Sequence, residues 1–322
     1  MPMKRESISL RIVVGVCLWS LGVVYGPFFF PHAPVEVRAQ QATLFDLSAG
    51  VRAVGMGGAF VAVADGAGTV LFNPAGLAYL GAPEIQALYE LRFGASHLFR
   101  GLGALPRWGG GLALFSFGPI EGRNAQDEVT ETLGYLQLGL LGAGGWALSD
   151  LPLPATQSLE ELAIGLKLKL IGVSTVEEGS GGGAALDWGL LLRFQQPFSL
   201  PLEELRLGAM GENLPALGTT GGAPRGTFGI AVRPIPELTI ALDLAFPLAL
   251  RAGGEVQIPL PEELAPGMSP TVALRLGGFW EGTLWALTLG FGITLDALRF
   301  DYAFQSHAQL PSTHQVGFAW RF

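Results

Sequence analysis

The sequence predicts an all-β protein, a transmembrane antiparallel β-barrel of about 14 strands. The composition is the first observation: 49% of the residues are hydrophobic, only 14% are charged, and 47 of 322 are glycine. Soluble domains average about 25% charged residues and about 7% glycine. The second observation is a recurring alternation of apolar with small or charged residues, and the third is that this alternation continues to the final Phe322.

Residues 1–39 are predicted to be a signal peptide that is removed on export. They combine a basic start, an apolar stretch over residues 12–30 and a small-residue cleavage site at 37–39. The length of the apolar stretch leaves a permanent helical anchor as the alternative. Cleavage would remove Cys17, the one cysteine of the chain, so no disulfide framework is expected. The chain is acidic and has no basic cluster, which argues against nucleic acid as a partner.

In the chain after residue 39, one stretch is a candidate for a membrane-spanning helix, which needs about 20 consecutive apolar residues. Residues 132–149 lack charge, but they contain five glycines and begin with apolar residues at alternate positions. We therefore interpret this stretch as a strand.

The two faces of the predicted strands differ in composition. In residues 298–305, large apolar and aromatic residues alternate with Arg, Asp, Ala and Gln. A soluble sandwich also alternates, but its solvated face would be dense in Lys, Glu and Thr. The pattern therefore favours a closed barrel whose apolar face contacts lipid.

Segments of this kind recur about 14 times, an even number as in bacterial single-chain barrels. Residues 97–106 and 251–258 are weakly patterned, so about 12 strands remain the alternative. The predicted strands lie near residues 85–93, 97–106, 109–118, 132–143, 161–173, 184–195, 204–212, 225–233, 237–247, 251–258, 270–280, 283–293, 296–306 and 312–322. The acidic stretch 118–131 is expected to be one of the connections between them.

Residues 40–84 precede the barrel (85–322) and do not alternate cleanly. The glycines at 55–58 do not form a dinucleotide-binding motif, because position 60 is Phe and no strand comes before them. Small residues let backbones approach closely, so this segment is expected to pack tightly inside the protein. Asn73-Pro74 favours a turn followed by a short helix.

The stretch from Ser48 to Ala78 resembles the N-terminal signature of the FadL-like outer-membrane barrel superfamily, especially its PorV-type branch. The resemblance implies a bacterial outer-membrane barrel of about 14 strands whose N-terminal segment, here residues 40–84, folds into the lumen as a hatch. The residues that carry the resemblance include Ala49, Gly50, Arg52, Gly55, Met56, Gly57, Gly58, Ala59, Val63, Ala64, Asp65, Asn73, Pro74, Ala75, Gly76 and Leu77.

The resemblance leaves two functions open. The fatty-acid transporters of the superfamily pass hydrophobic molecules, so passive transport of small hydrophobic molecules across the outer membrane is the leading hypothesis. PorV-type members instead hold secreted proteins at the outer surface without transporting solutes. In both cases outer-membrane lipid and the barrel assembly machinery are expected partners, and no cofactor is expected.

Charged residues on the predicted strands are expected to face the lumen, because Arg or Lys on the lipid face at the bilayer midplane costs about 2–4 kcal/mol. They form either a polar channel lining or, as we favour, ion pairs that fasten the hatch to the wall. The main ones are Lys167, Lys169, Asp187, Arg193, Arg233, Asp243, Arg275, Arg299, Asp301 and Arg321.

The residue pattern does not favour an enzyme or a metal site. None of His97, His307 and His314 has metal-ligand spacing such as H-E-x-x-H. Two histidines follow a serine, at 96–97 and 306–307, but adjacent strand residues point to opposite faces. Such neighbours cannot act on each other as base and nucleophile.

The terminal Phe322 is predicted to be the signal that barrel proteins present to their assembly machinery, which the resemblance implies. Deleting Phe322, or appending a charged tail, is expected to lower the yield of assembled barrel in the membrane. The measurement is the heat-modifiable shift of the folded band on a gel. A normal folded band from the deletion variant would contradict the role assigned to Phe322.

Overall fold

The computed structural model describes residues 44–45, 50–124, 126–150, 162–175, 179–196, 201–218, 222–261, 263 and 266–322. The fold is a closed antiparallel barrel, because β1 pairs with β15 and β5 with β6. The strands are β1 Glu84–Arg92, β2 Ser96–Leu105, β3 Trp108–Arg123, β4 Val129–Ala147, β5 Leu162–Thr175, β6 Gly179–Gln195, β7 Glu204–Glu212, β8 Ala216–Gly218, β9 Arg225–Ile235, β10 Leu238–Phe246, β11 Ala249–Pro259, β12 Pro270–Glu281, β13 Leu284–Leu295, β14 Leu298–Gln305 and β15 Thr313–Arg321.

Fourteen of these strands form the wall, which confirms the predicted barrel. The short β8 pairs only with the end of β6 that extends beyond β7. The two weakly patterned segments are the strands β2 and β11, and the helix candidate 132–149 lies largely in β4. The predicted signal peptide, residues 1–39, lies outside the described residues.

The expectation that residues 118–131 form a connection is wrong. Strand β3 continues to Arg123 and β4 begins at Val129, with Ile120 opposite Leu133. The pairing is irregular between Phe117 and Ile120. Three residues of β3 here match two of β4, which is the geometry of a β-bulge, and the backbone ladder resumes beyond it.

The outer surface of the barrel is apolar, as β15 shows. Val316, Phe318 and Trp320 point outward and are 37%, 47% and 45% exposed, whereas Gln315 and Ala319 face inward and are buried. The same alternation places leucines outward on β4, β5, β12 and β13: Leu136, Leu138, Leu140, Leu166, Leu168, Leu170, Leu274, Leu276, Leu287 and Leu289. The exterior thus has the composition of a lipid-facing surface.

The two ends of the barrel are defined here by the C-terminus. The Phe322 end carries the start of β1, and the Phe322 N–H donates to the Pro83 carbonyl at 3.0 Å. We call the opposite end the far end. Tryptophans lie near both ends. Trp108 and Trp146 pack edge to face at 5.2 Å near the Phe322 end, and Trp280 lies opposite Trp285 near the far end. Tryptophan is enriched at membrane–water interfaces.

Helical segments of the hatch cross the lumen from wall to wall. Helix α1, Val51–Gly55, packs on β12 to β15. The 3₁₀ helix Ala67–Val70 contacts β1 to β3, and the 3₁₀ helix Pro74–Tyr79 contacts β4 to β6. A further 3₁₀ turn, Leu148–Asp150, follows β4. Among the described residues, the structure contains no helix that is both long and apolar enough to cross a membrane.

Glycines on the inner face of the wall make room for the hatch. A Cβ at Gly253 would lie 2.2 Å from the Met56 carbonyl oxygen, and one at Gly189 would lie 2.0 Å from Asn73 Oδ1. Both distances are far inside van der Waals contact, so these positions accept no side chain. The inner-face glycines that contact the hatch are Gly109, Gly139, Gly145, Gly165, Gly189, Gly208, Gly229, Gly253, Gly277, Gly290 and Gly317.

Replacement of an inner-face glycine is expected to destabilise the folded barrel. Gly253→Ala places a methyl group against the Met56 backbone, and overpacking of this kind costs about 1–3 kcal/mol. The matched control is Gly254→Ala on the opposite face of β11, where the nearest atom to a new Cβ is 3.5 Å away. Urea unfolding of the refolded proteins in detergent measures both, and equal stability of the two variants would contradict the packing described here.

Candidate functional site

The plugged lumen is the candidate functional site, and Asn73 connects the hatch to its wall. The Asn73 side chain is fully buried. Its Nδ2 donates to the carbonyls of Val61 and Leu190, at 3.0 and 2.8 Å, and its Oδ1 accepts from the Ala75 N–H at 3.1 Å. Asn73 therefore caps the 3₁₀ helix that begins at Pro74 and joins it to β6.

The glycines of the motif lie at the narrowest contacts of the hatch. Gly57 and Gly58 adopt the left-handed conformation, with φ of 67° and 81°, which favours glycine. The Gly57 N–H donates to Thr288 Oγ1 at 3.0 Å. Gly55 faces the backbone of β13, and a Cβ at Gly76 would lie 2.2 Å from the Ala64 carbonyl oxygen.

Two charged hatch residues, Arg52 and Asp65, form ion pairs with each other and with the wall. Arg52 binds both carboxylate oxygens of Glu255, at 2.8 and 2.7 Å, and also pairs with Asp65. Asp65 lies 3.8 Å from Arg206 of β7. Burial raises the pKa of Asp65, but Arg52 and Arg206 outweigh it and hold this pKa below its usual value. Asp65 is therefore a carboxylate at neutral pH.

A chain of ion pairs runs along the inner wall of β11, β12, β14, β1 and β15; we call it the charged sector. Arg275 bridges Glu255 and Asp301, at 2.6 and 2.7 Å. Arg299 then connects Asp301 to Glu84, at 2.8 and 3.3 Å, and Arg321 ends the chain on Glu84 at 2.7 Å. On β6, β7 and β9, Arg193, Arg206 and Arg233 share Glu204 in the same way.

A second group of charges is fully enclosed between the hatch and β5 and β6. Lys167 and Lys169 each bind Asp187, at 2.8 and 2.9 Å. Lys167 also donates to the Leu71 carbonyl of the hatch at 2.7 Å, and Lys169 donates to Asn213 Oδ1 at 2.6 Å. These partners satisfy charges that would otherwise be costly to bury.

Asp243 holds the hatch through its backbone. One carboxylate oxygen accepts from the N–H groups of Phe60 and Val61, at 2.8 and 3.0 Å. Thus the structure brings most of the inward charges into ion pairs, whereas Asp243 accepts from the hatch backbone; the pairs Arg52–Glu255 and Asp65–Arg206 join the hatch to the wall. The other contacts of wall charges with the hatch are hydrogen bonds to its backbone, as at Leu71 and Phe60.

The inner wall also contains an apolar sector, on β1 to β5, which the predicted alternation of apolar with small or charged residues does not include. Leu88, Leu98, Leu102, Leu141 and Ile171 face inward and pack against hatch residues. The signal was available in the pairs of consecutive apolar residues, such as Leu140-Leu141 and Leu170-Ile171, which make both strand faces apolar. The hatch residues in this cluster are Leu44, Phe45, Val51, Val54, Ala67, Val70, Leu71 and Leu77.

A cavity of about 600 Å³ lies between the hatch and the Phe322 end of the barrel. Its floor is formed by hatch residues such as Asp65 and Tyr79, and its sides by the ends of the strands. The wall side chains that line it include Arg193, Arg206, Arg275, Arg299, Arg321, Gln257 and Thr271. The lumen thus contains a polar space on one side of the hatch.

The serine–histidine neighbours do not form a site. Ser96 is buried on the inner face, whereas His97 is exposed and bonds to the Tyr89 hydroxyl at 2.8 Å. His307 Nδ1 accepts from the Gln309 N–H at 3.1 Å, and His314 bonds to Tyr302 on the exterior. In the part of the chain that the structure describes, no cluster of His, Cys, Asp or Glu side chains could hold a metal ion.

Comparisons with known proteins find similarity in solved structures alone. No protein-family model and no curated protein matches the sequence. The Pseudomonas putida toluene transporter TodX is 13% identical with a TM-score of 0.47, over 83% of this chain and 95% of that chain. A TodX monoaromatic hydrocarbon channel mutant, deltaS2, is 11% identical with a TM-score of 0.45, over 84% and 96%. The KdgM porin in complex with oligogalacturonate is 9% identical with a TM-score of 0.36, over 74% and 99%.

Loss of the Glu255 charge is expected to destabilise the plugged barrel strongly. Glu255→Gln leaves Arg52 and Arg275 without their shared carboxylate, and breaking a buried pair costs about 3–5 kcal/mol. The control is Glu281→Gln, which breaks a partly exposed pair with Arg225 and is expected to cost under about 1 kcal/mol. Urea unfolding in detergent compares them, and a small effect at Glu255 would show that the charged sector is dispensable for stability.

Proposed function

We propose that this chain is a bacterial outer-membrane barrel that passively transports small hydrophobic molecules across the membrane. The outer-membrane location is supported by the apolar exterior, where leucines and aromatic residues are exposed on strands such as β4, β5, β12, β13 and β15. A closed barrel crosses a bilayer with all its backbone groups paired. The predicted signal peptide and terminal Phe322 fit export and assembly by that route.

The apolar sector of the inner wall carries the proposal of a hydrophobic substrate. The lumen of a water-filled porin is polar, but here Leu88, Leu98, Leu141 and Ile171 face inward on adjacent strands. Phe115 and Val173 extend this surface and pack against its edge. A small apolar molecule that moved along it would stay in contact with side chains that do not hydrogen-bond.

The hatch is the gate of the proposed path, because its described residues span the lumen. It is held most firmly on the side of Glu255, Arg206 and Asp243, where charged groups bind its side chains and backbone. Nonpolar contacts pack the hatch against the apolar sector, where Glu84, Arg100 and Lys167 also bond to the hatch backbone. Val51 of α1 and Leu71 belong to the same apolar cluster. Nonpolar contacts are less directional than ion pairs, so we place the movement that opens the path along this cluster.

The resemblance of residues 48–78 to the FadL-like signature supports an outer-membrane barrel of that superfamily and is common to both candidate functions. No feature within the described ranges favours a PorV-type scaffold that binds secreted proteins. The two functions differ in a simple measurement, since a scaffold would retain a secreted partner in a pull-down from outer membranes and would not carry solute.

A reversible tether between hatch and wall is expected to stop transport. A Cβ at Gly317 would lie 3.5 Å from Val51 Cβ, within the range of about 3.5–4.5 Å for disulfides. The double variant Val51→Cys/Gly317→Cys should therefore lock α1 to β15 when oxidised. The expected result is loss of uptake of an isotope-labelled alkylbenzene by cells that express the oxidised variant, with recovery on reduction.

The controls for this experiment are the reduced double variant and a deletion of residues 40–83. The deletion is expected to admit polar sugars as well as the alkylbenzene, because it empties the lumen. The proposal fails if neither wild type nor deletion variant increases uptake over cells that lack the protein. It also fails if the oxidised tether leaves alkylbenzene uptake unchanged.

A further inference from the structure

The polar cavity at the Phe322 end has a layered arrangement of charge. Its carboxylates lie behind its arginines: the side chains of Glu84, Glu204, Glu255 and Asp301 are at most 3% exposed. The arginine side chains in front of them are more accessible, at 25% for Arg193, 19% for Arg299 and 53% for Arg321. The surface that a molecule in the cavity would meet is therefore cationic, although the ion pairs nearly balance.

The buried carboxylates orient these arginines so that one edge of each guanidinium stays available. Arg321 binds Glu84 through Nε and Nη2, at 3.1 and 2.7 Å. Arg193 binds Glu204 through the same two atoms, at 3.0 and 2.7 Å, and lies over the Tyr79 ring at 4.6 Å. Arg299 uses Nε for Asp301 and Nη2 for Glu84. Among the described residues, the Nη1 group of each of the three makes no hydrogen bond.

Two further carboxylates lie at the cavity, and both have partners. Asp65 pairs with Arg52 and Arg206. Asp296 lies in the turn between β13 and β14, and it accepts from the Ser269 N–H at 2.8 Å. Neither faces Arg193, Arg299 or Arg321 as an ion-pair partner. The free guanidinium edges thus remain the main binding groups for an incoming anion.

From this geometry we infer that the cavity binds a small organic carboxylate that enters from the Phe322 end. A carboxylate accepts hydrogen bonds from a guanidinium edge with matching geometry. The same cavity has apolar lining from Leu80, Leu191 and the ring of Tyr79, which a bare inorganic anion would not use. Its volume of about 600 Å³ lies within the usual range for small-molecule sites. Binding here needs no movement of the hatch, so the inference stands independently of the proposed transport.

Calorimetric titration of the refolded, full mature chain in detergent tests the inference with three probes: benzoate, its neutral analogue benzamide, and inorganic phosphate. Benzoate is expected to bind at least about tenfold more tightly than the other two, a difference of about 1.4 kcal/mol. Equal binding of benzoate and benzamide would overturn the role of the arginines. Equal binding of phosphate would overturn the choice of an organic ligand, and no binding of benzoate would overturn the site.

Variants locate the binding and separate it from transport. The double variant Arg299→Gln/Arg321→Gln is expected to weaken benzoate binding at least about tenfold. The control Arg225→Gln, whose ion pair with Glu281 lies at the far end, should leave it unchanged, and each protein is first shown to fold by its heat-modifiable band. The oxidised hatch tether should bind benzoate normally even though it blocks uptake. Binding that survives loss of the two arginines, or that disappears in the tethered protein, would overturn the inference.

Discussion

The close contact between the backbone of the hatch and the backbone of the wall is the constraint on which the rest of the structure depends. A barrel of this size encloses more space than the side chains of its own wall can fill. Here the hatch fills it, and at Gly253 and Gly189 its backbone lies so near the wall that one methyl group would clash. The high glycine content of the chain is therefore explained in part by tertiary packing.

This contact also determines how charge is distributed in the lumen. A segment that crosses the interior carries backbone N–H and carbonyl groups into a space without enough water, and each needs a partner. Wall side chains supply several: Asp243 accepts from two hatch N–H groups, and Lys167 donates to the Leu71 carbonyl. Lys167 is itself charged and buried, and Asp187 supplies the partner that its charge requires.

The lumen has two unlike sides as a result. Ion pairs join hatch side chains to β7 and β11, whereas apolar side chains and hydrogen bonds to the hatch backbone hold it against β1 to β5. In the proposed function this asymmetry decides where a path can open, since no ion pair between hatch and wall has to break on the second side. In the cavity at the Phe322 end, buried carboxylates hold the arginines in place. Guanidinium edges such as that of Arg321 therefore face the cavity.

The sequence by itself determined most of the strands and, wherever large apolar residues alternate with small or charged ones, the face that each side chain occupies. Alternation with a period of two is a local property, and the cost of placing a charge in lipid fixes which face turns inward; Lys167 and Phe318 could be placed on these grounds alone. The short helix after Asn73 was likewise predictable from the preference of Pro74 for a first helical position.

Only the tertiary structure decided which charged residues pair with each other. Arg52 and Glu255 are 203 positions apart, and nothing in their local sequence shows that a guanidinium from the hatch meets a carboxylate of β11. Consecutive apolar residues indicate that both faces of a strand are apolar, but they do not show what the inward Leu98 and Leu141 pack against; the hatch supplies those contacts. Barrel closure and hatch insertion bring such residues together, and both depend on long-range packing that no short window of sequence contains.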